Sequence, residues 1–214
     1  MAQIITIAQQ KGGAGKSTVA AHLAVALSQQ GKRVTLIDID PQGTLSRWYG
    51  LREAKFGAGY TGLNFVSMSG WRVGASVFQY EKNSDFVIID SPPHTDTEAK
   101  SAIRAANLVI VPMQPSPTDL WATKATIDFA KASNKQVKVL LNRYNPNSRM
   151  GREIAAEMDD VMDGYFGNRV LFSSCLLQGK CVTETDPHSQ ASKEVKATLS
   201  EVMSLLKVDE LVDA

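Results

Sequence analysis

The chain is poor in the residues that build covalent or metal-bound frameworks. Its 214 residues include two cysteines, Cys175 and Cys181, and three histidines, His22, His94 and His188. Neither set has the spacing of a zinc site or a disulfide scaffold, so both thiols are expected to be structural, in a reducing cytoplasm. The histidines form no recognisable constellation: His22 falls on an apolar helical pattern and reads as structural, while His94 follows a strand-end carboxylate closely enough to touch a site. A net charge of +1 excludes a global basic field, so any nucleic-acid surface has to be a local patch made by folding. No apolar run approaches the roughly 20 residues that cross a bilayer, and the N-terminus has no signal-peptide pattern.

What is present is a regular alternation. Residues 3–8 read as a short buried strand, followed by Val19, Leu23, Ala26 and Leu27 at helical spacing until Gly31. Further apolar runs at 34–39, 63–66, 85–90, 108–112 and 137–142 read as strands, and 169–173 as one last strand. Helical patterns near 97–106, 118–132, 149–163 and 188–207 accompany them, and Gly57, Gly59 and Gly62 mark a loop. Apolar strands alternating with amphipathic helices predict an α/β fold, a doubly wound, mostly parallel sheet flanked by helices. No repeat, low-complexity linker or composition break interrupts it, so residues 1–214 are expected to form one domain. The loop after the first strand, Asp40, Asp90 and Asn142 all follow strand ends and are expected to gather at one edge of the sheet.

That first loop reads Gln9-Gln10-Lys11-Gly12-Gly13-Ala14-Gly15-Lys16-Ser17-Thr18. Gly15-Lys16-Ser17 supplies the end of a phosphate-binding loop, but the first glycine of the usual G-x-x-x-x-G-K-[ST] pattern would fall at Gln10. Glycines let the backbone N–H groups of Gly12 to Ser17 wrap a phosphate, and the helix starting near Lys16 adds its positive end. Lys16 is then the cation for the β- and γ-phosphates, and the Ser17 hydroxyl is placed to ligate Mg²⁺. Asp38 and Asp40, in Leu36-Ile37-Asp38-Ile39-Asp40-Pro41-Gln42-Gly43, point to one face of an extended strand. Asp90 closes Val87-Ile88-Ile89, four apolar residues with Phe86 before a carboxylate that suits the shell of a Mg²⁺ ion.

Lys-Gly-Gly-Ala-Gly-Lys-Ser-Thr resembles the deviant Walker A loop of ParA/MinD-type ATPases, whose signature lysine corresponds to Lys11. Asp38-Ile39-Asp40-Pro41-Gln42-Gly43, Asp90-Ser91-Pro92-Pro93, the segment 111–119 and Asn142 follow in the same family's order. The likeness is greatest to short ParA proteins without an N-terminal DNA-binding extension, and it weakens beyond residue 150. It implies that Lys11 reaches across an ATP-bridged homodimer to the partner's nucleotide. It also implies that Asp40 positions the attacking water and the metal shell, that Asp38 supports the site, and that the Asn142 amide reads the adenine edge. The nucleotide-binding set is thus Lys11, Gly12, Gly13, Ala14, Gly15, Lys16, Ser17, Thr18 and Asn142. Lys11, Lys16 and Asp40 act in hydrolysis, and Ser17, Asp40 and Asp90 at the metal.

The same resemblance implies slow ATP hydrolysis, non-specific binding to nucleoid DNA by the ATP dimer, and an activating partner of ParB or cargo-adaptor type. Arg143, Arg149, Arg152, Arg169, Lys180, Lys193 and Lys196 are the candidate DNA contacts. The alternative is a MinD-like membrane-associated spatial regulator. Against it, the apolar stripe Val195, Leu199, Val202, Met203 and Leu206 leads into an acidic tail, whereas a membrane-surface helix carries Lys or Arg along its polar face. Relatives that hold an iron–sulfur cluster at the dimer axis need mid-chain cysteines, and this chain has none there.

Overall fold

A computed structural model describes residues 1–93 and 97–208; His94 and the tail 209–214 lie outside the described residues. Seven strands form one sheet: β1 (Gln3–Ile7), β2 (Val34–Asp38), β3 (Asn64–Ser67), β4 (Phe86–Asp90), β5 (Leu108–Met113), β6 (Gln136–Tyr144) and β7 (Val161–Gly167). Their spatial order is β3-β2-β4-β1-β5-β6-β7, and neighbours pair in parallel. The intervening helices are α1 (Lys16–Gln29), α2 (Thr44–Phe56), α3 (Val73–Glu81), α4 (Thr97–Ala105), α5 (Pro117–Ala132) and α6 (Arg149–Ala156). After β7 come two single turns, α7 (Leu171–Ser174) and α8 (Val182–Thr185), and the long α9 (Gln190–Leu205).

The strands are apolar on both faces because helices cover both. Side chains alternate, so Ile5 and Ile7 of β1, Leu36 of β2 and Ile88 of β4 meet Leu23 and Leu27 of α1 and Val195, Leu199 and Val202 of α9. Their neighbours Ile4, Ile37, Val87 and Ile89 meet Val73 and Val77 of α3 and Ala102 of α4. On that same face Val109, Val111, Val139 and Leu141 pack on Ile127 and Ala130 of α5 and Ile154 of α6. Helix α1 is buried almost all round, between the sheet and α2, α8 and α9. The stripe Val195, Leu199, Val202 and Met203 of α9 is spent in this core, and no helix among the described residues is long and apolar enough to cross a membrane.

The sheet is as expected from the sequence up to β6; beyond it the structure corrects two readings. The helix expected over 149–163 stops at Ala156, and the last strand is β7, Val161–Gly167, not 169–173. The sequence of β7, Val-Met-Asp-Gly-Tyr-Phe-Gly, carries an aspartate and two glycines that disguise it. Gly164 is there because α9 presses on it: a Cβ would lie 2.8 Å from the Thr198 Cα. Residues 171–174 instead turn as α7 over the sheet end, stacking Phe172 on Phe166 at 4.7 Å between ring centroids.

Candidate nucleotide site

Register places the parts of the site side by side. Ile7, the last residue of β1, pairs with Asp90 of β4, which pairs with Asp38 of β2. The loop leaving β1 therefore rises beside both carboxylates. Gly13 and Gly15 adopt φ of 78° and 97°, and Gly15 caps α1. Neighbouring strand ends grip the loop by its carbonyls. The Gln114 Nε2 donates to the Gly13 oxygen at 3.0 Å, and the Asn142 Nδ2 donates to the Ala14 oxygen at 2.7 Å. The loop turns at Gly12-Gly13, and the N–H groups of Gly12, Gly13 and Gly15 close no hydrogen bond among the described residues. Unsatisfied donors at a helix N-terminus make an anion cradle.

The Lys16 side chain is buried at the floor of this cradle, where burial lowers its pKa and Asp90 and Asp40 oppose that shift. Asp90 is fully buried, and neither of its carboxylate oxygens closes a hydrogen bond among the described residues. Burial pushes its carboxyl up to about 7; the Ser17 hydroxyl, without completing a bond of full geometry, and Lys16 work against the shift, while Asp38 and Asp40 add to it. An orphaned buried carboxylate costs several kcal/mol unless a cation arrives. Ser17, Asp90 and the nearby Asp40 form an all-oxygen donor set, which suits Mg²⁺. No group of three His, Cys, Asp or Glu side chains among the described residues could hold a metal by itself.

Asp38 is occupied with structure. Its Oδ1 accepts the Asp40 N–H at 3.0 Å, and its Oδ2 accepts the N–H and hydroxyl of Ser46 at 2.9 and 2.6 Å. It thereby ties the end of β2 to the first turn of α2, with Gly43 at φ 62° between them. Asp40 spends one oxygen on the Gln42 N–H at 2.9 Å and stays partly exposed beside the loop.

Two expected residues stand apart from this picture. Lys11 does not lie over its own loop. Its ammonium is turned onto the start of α5, donating to the Thr118 Oγ1 at 3.2 Å and pairing with the Asp119 carboxylate, which also accepts from Ser116. Asp119 ends the segment 111–119, and nothing local in the sequence marks it as a partner of Lys11; the fold brings the two together across 108 residues. Asn142 lies under Gly15, so close that a Cβ there would be 2.2 Å from its Nδ2. Its Oδ1 accepts the Arg143 N–H at 3.0 Å, leaving one donor hydrogen and one lone pair of the amide. Arg143 itself sits at φ 52° at a register irregularity of β6. Beside Asn142 opens a cleft of about 210 Å³, lined by Gly15, Thr18, Arg169, Val170 and Phe172.

The other expected cations are scattered. Arg149 pairs with Glu153, Arg152 donates to the Pro146 carbonyl at 2.7 Å, and Arg169 is held by Glu194. Lys193 and Lys196 lie on α9, and Lys180 on the turn before α8. His22 is structural: its Nδ1 lies 2.8 Å from the Thr18 carbonyl, its Nε2 3.6 Å from the Cys175 Sγ, and burial lowers its pKa to about 4. Both cysteines are free and buried, with thiols pushed up by burial.

Sequence relatives agree with the geometry. The chain is 28% identical to the maintenance of carboxysome distribution protein A of Halothiobacillus neapolitanus over 212 residues, covering 93% of this chain and 95% of the relative. It is 26% identical to the chromosome-partitioning ATPase Soj of Thermus thermophilus, covering 94% and 95%. The septum site-determining protein MinD of Pyrococcus horikoshii, solved with Mg-ADP, superposes with a TM-score of 0.81 over 96% of this chain and 98% of MinD. At 22% identity that likeness speaks for the fold alone. The family model of the CobQ/CobB/MinD/ParA nucleotide-binding domain matches residues 5–176, and with the loop, the strand-end carboxylates and the sheet order in place, the chain belongs to that family.

Proposed function

We propose that the chain is a single-domain, ParA-like ATPase switch that dimerises on ATP and positions or segregates large cellular cargo or DNA. The observation that carries this reading is the pair of lysines. Lys16 is buried under the phosphate loop, whereas Lys11 is held off it on α5. One subunit then offers one side-chain cation from its loop to the γ-phosphate, and phosphoryl transfer depends on neutralising the charge that develops there. A second lysine supplied by a partner subunit completes the site, so turnover is slow in the isolated chain.

In this reading the N–H groups of Gly12 to Ser17 and the Lys16 ammonium bind the β- and γ-phosphates, and Thr18 follows them along α1. Ser17 and Asp90, with Asp40, hold the shell of a Mg²⁺ ion, which when bound neutralises phosphate charge and draws the carboxylate of Asp90 into use. Asp40 orients the water whose oxygen attacks the γ-phosphorus as the bond to the ADP oxygen breaks. Asp38 keeps Asp40 in place through its N–H. The spare donor and acceptor of Asn142 match the edge of adenine.

The names of the relatives, carboxysome distribution and chromosome partition, support cargo positioning; the form proposed for it here is a dimer carried on nucleoid DNA and released when a ParB- or adaptor-type partner stimulates hydrolysis. Arg143, Arg149, Arg152, Lys180, Lys193 and Lys196 are the cations proposed for that surface, Arg149 through an exposed pair with Glu153 that solvent screens, while the charge of Arg169 is met by the buried Glu194. Doubling a weak patch by dimerisation raises affinity steeply, because each phosphate contact adds roughly 0.9 log unit per log unit of salt.

Size-exclusion chromatography with Mg·ATP tests the switch. Wild type is expected to move to the dimer position, Lys16→Ala to stay monomeric without binding nucleotide, and Lys11→Ala to bind nucleotide yet stay monomeric. A dimer of Lys11→Ala would remove the cross-subunit role. A gel shift on random-sequence DNA at low salt, seen with ATP and lost with ADP, tests the carrier, and flotation with liposomes is expected to show no binding.

A further inference from the structure

We propose that Arg169, clamped by Glu194, is the platform on which the nucleobase stacks, and so a specificity-determining residue of the site; this rests on the ATP-binding reading above. The polarity of the phosphate loop sets the direction. Asp38, Asp40 and Asp90 all lie on the β2/β4 side of β1, so the metal-bearing end of a triphosphate points that way. On the β6/β7 side the cleft of about 210 Å³ opens directly from Gly15 and Thr18, and none of the described residues that line it is a carboxylate. A nucleotide whose phosphates fill the loop therefore delivers its base into this cleft.

Arg169 is fixed there. Its Nε and Nη2 both donate to the Glu194 Oε1, at 3.0 and 2.7 Å, while the Glu194 Oε2 accepts the Gly167 N–H at 2.9 Å. The Glu194 side chain is 3% exposed and the Arg169 side chain 39%. Gly167 lets the pair settle on the backbone: a Cβ would lie 3.0 Å from the Arg169 Nε and 3.1 Å from both carboxylate oxygens. Two of the five guanidinium N–H donors are thus held by a buried carboxylate, and the partly exposed guanidinium lines the cleft. A planar cation pre-organised in this way stacks on aromatic rings, which an ammonium does not do. Next to it the Val170 side chain is 80% exposed and lines the same cleft, while Phe172 forms the buried floor. An apolar side chain left bare beside a fixed guanidinium, with the half-spent amide of Asn142 at the rim, is the surface a base would cover. A DNA phosphate instead needs an uncompensated charge, and the charge of Arg169 is compensated by Glu194.

Calorimetric titration of Mg·ATP and of Mg·tripolyphosphate, which lacks the base, separates the possibilities. Arg169→Ala is expected to weaken ATP roughly tenfold, the size of one base–side-chain stack, and to leave tripolyphosphate within twofold of wild type. Arg169→Lys, which keeps the charge and loses the plane, is expected to weaken ATP severalfold and to leave tripolyphosphate within twofold of wild type. DNA retention by both variants at saturating ATP should match wild type. Equal losses for ATP and tripolyphosphate would make Arg169 merely structural and overturn the inference, as would unchanged ATP affinity with lost DNA retention. If wild type bound neither ligand, the ATPase reading itself would fall; if wild type bound ATP and both variants equalled it, this inference alone would fall.

Discussion

The Lys11 ammonium forms an ion pair with the Asp119 carboxylate at the first turn of α5, the lysine side chain 39% exposed and the aspartate 3%. Asp119 is anchored as well, because its N–H donates to the Ser116 Oγ at the helix cap at 3.2 Å. If Lys11 serves a partner subunit, this pair has to open first, and it opposes dimerisation. Asp119→Asn is therefore expected to lower the ATP concentration needed for dimerisation about fivefold, the equivalent of roughly 1 kcal/mol for a half-exposed pair. Light scattering across an ATP titration measures it. An unchanged or raised threshold would mean that Asp119 does not restrain Lys11.

Gly15 and Asn142 leave no room for a side chain between them. Gly15→Ala places a Cβ 2.2 Å from the Asn142 Nδ2 at a φ of 97°. The strain alone is of order 1–3 kcal/mol, and expelling Asn142 also releases the Ala14 carbonyl. The variant is expected to lose nucleotide binding and to unfold at lower denaturant than wild type. Retained binding with only a stability loss would show that the Asn142 clamp is dispensable to the cradle.

Asp90 is a cost to the free protein. Burial holds its folded carboxyl at about 7, well above the 3.8 of a free aspartate. Its contribution is thus present below about 4 and lost as pH rises through 7, a loss of up to about 4 kcal/mol at pH 8. Asp90→Asn is expected to be more stable than wild type at pH 8 without ligand, with the gap closing toward pH 5. ATP turnover should meanwhile fall at least about a hundredfold. A variant less stable than wild type at pH 8 would contradict an unpaired charge at this position.

His22 acts in the opposite sense. Its pKa falls from 6.5 to about 4 on burial, so the neutral ring stabilises the fold above 6.5 and that stability is lost as pH falls toward 4. Between pH 7 and 5 wild type is expected to lose about 2 kcal/mol relative to His22→Phe, from the roughly 1.4 kcal/mol per pH unit of a single proton. Urea unfolding of both chains at the two pH values gives the difference directly, in which Asp90 cancels. A gap that stays constant would mean the imidazole protonates without unfolding.

Local order alone carried much of this protein. Apolar runs buried on both faces, spaced by amphipathic helices, leave a parallel sheet as the consistent solution, and β1 to β6 follow it. Gly15-Lys16-Ser17, Asp40, Asp90 and Asn142 could be placed at one edge because each lies near or beyond the C-terminal end of a strand, and parallel strands end together; Asn142 in fact lies inside β6, two residues before its end. Strand β7 was hidden because its glycines answer to α9, a partner some thirty residues away in the chain. Lys11 was legible as an extra cation, but its contact with Asp119 was not, since the fold closes a loop of 108 residues to make it. Likewise the sequence marks Arg169 only as one surface charge among seven, because Glu194 meets it through the fold. The sequence by itself determined which chemistry stands at the sheet edge, because strand-end position is a local property. Only the tertiary structure decided which charges are free and which are already met, because compensation depends on neighbours that chain order does not reveal.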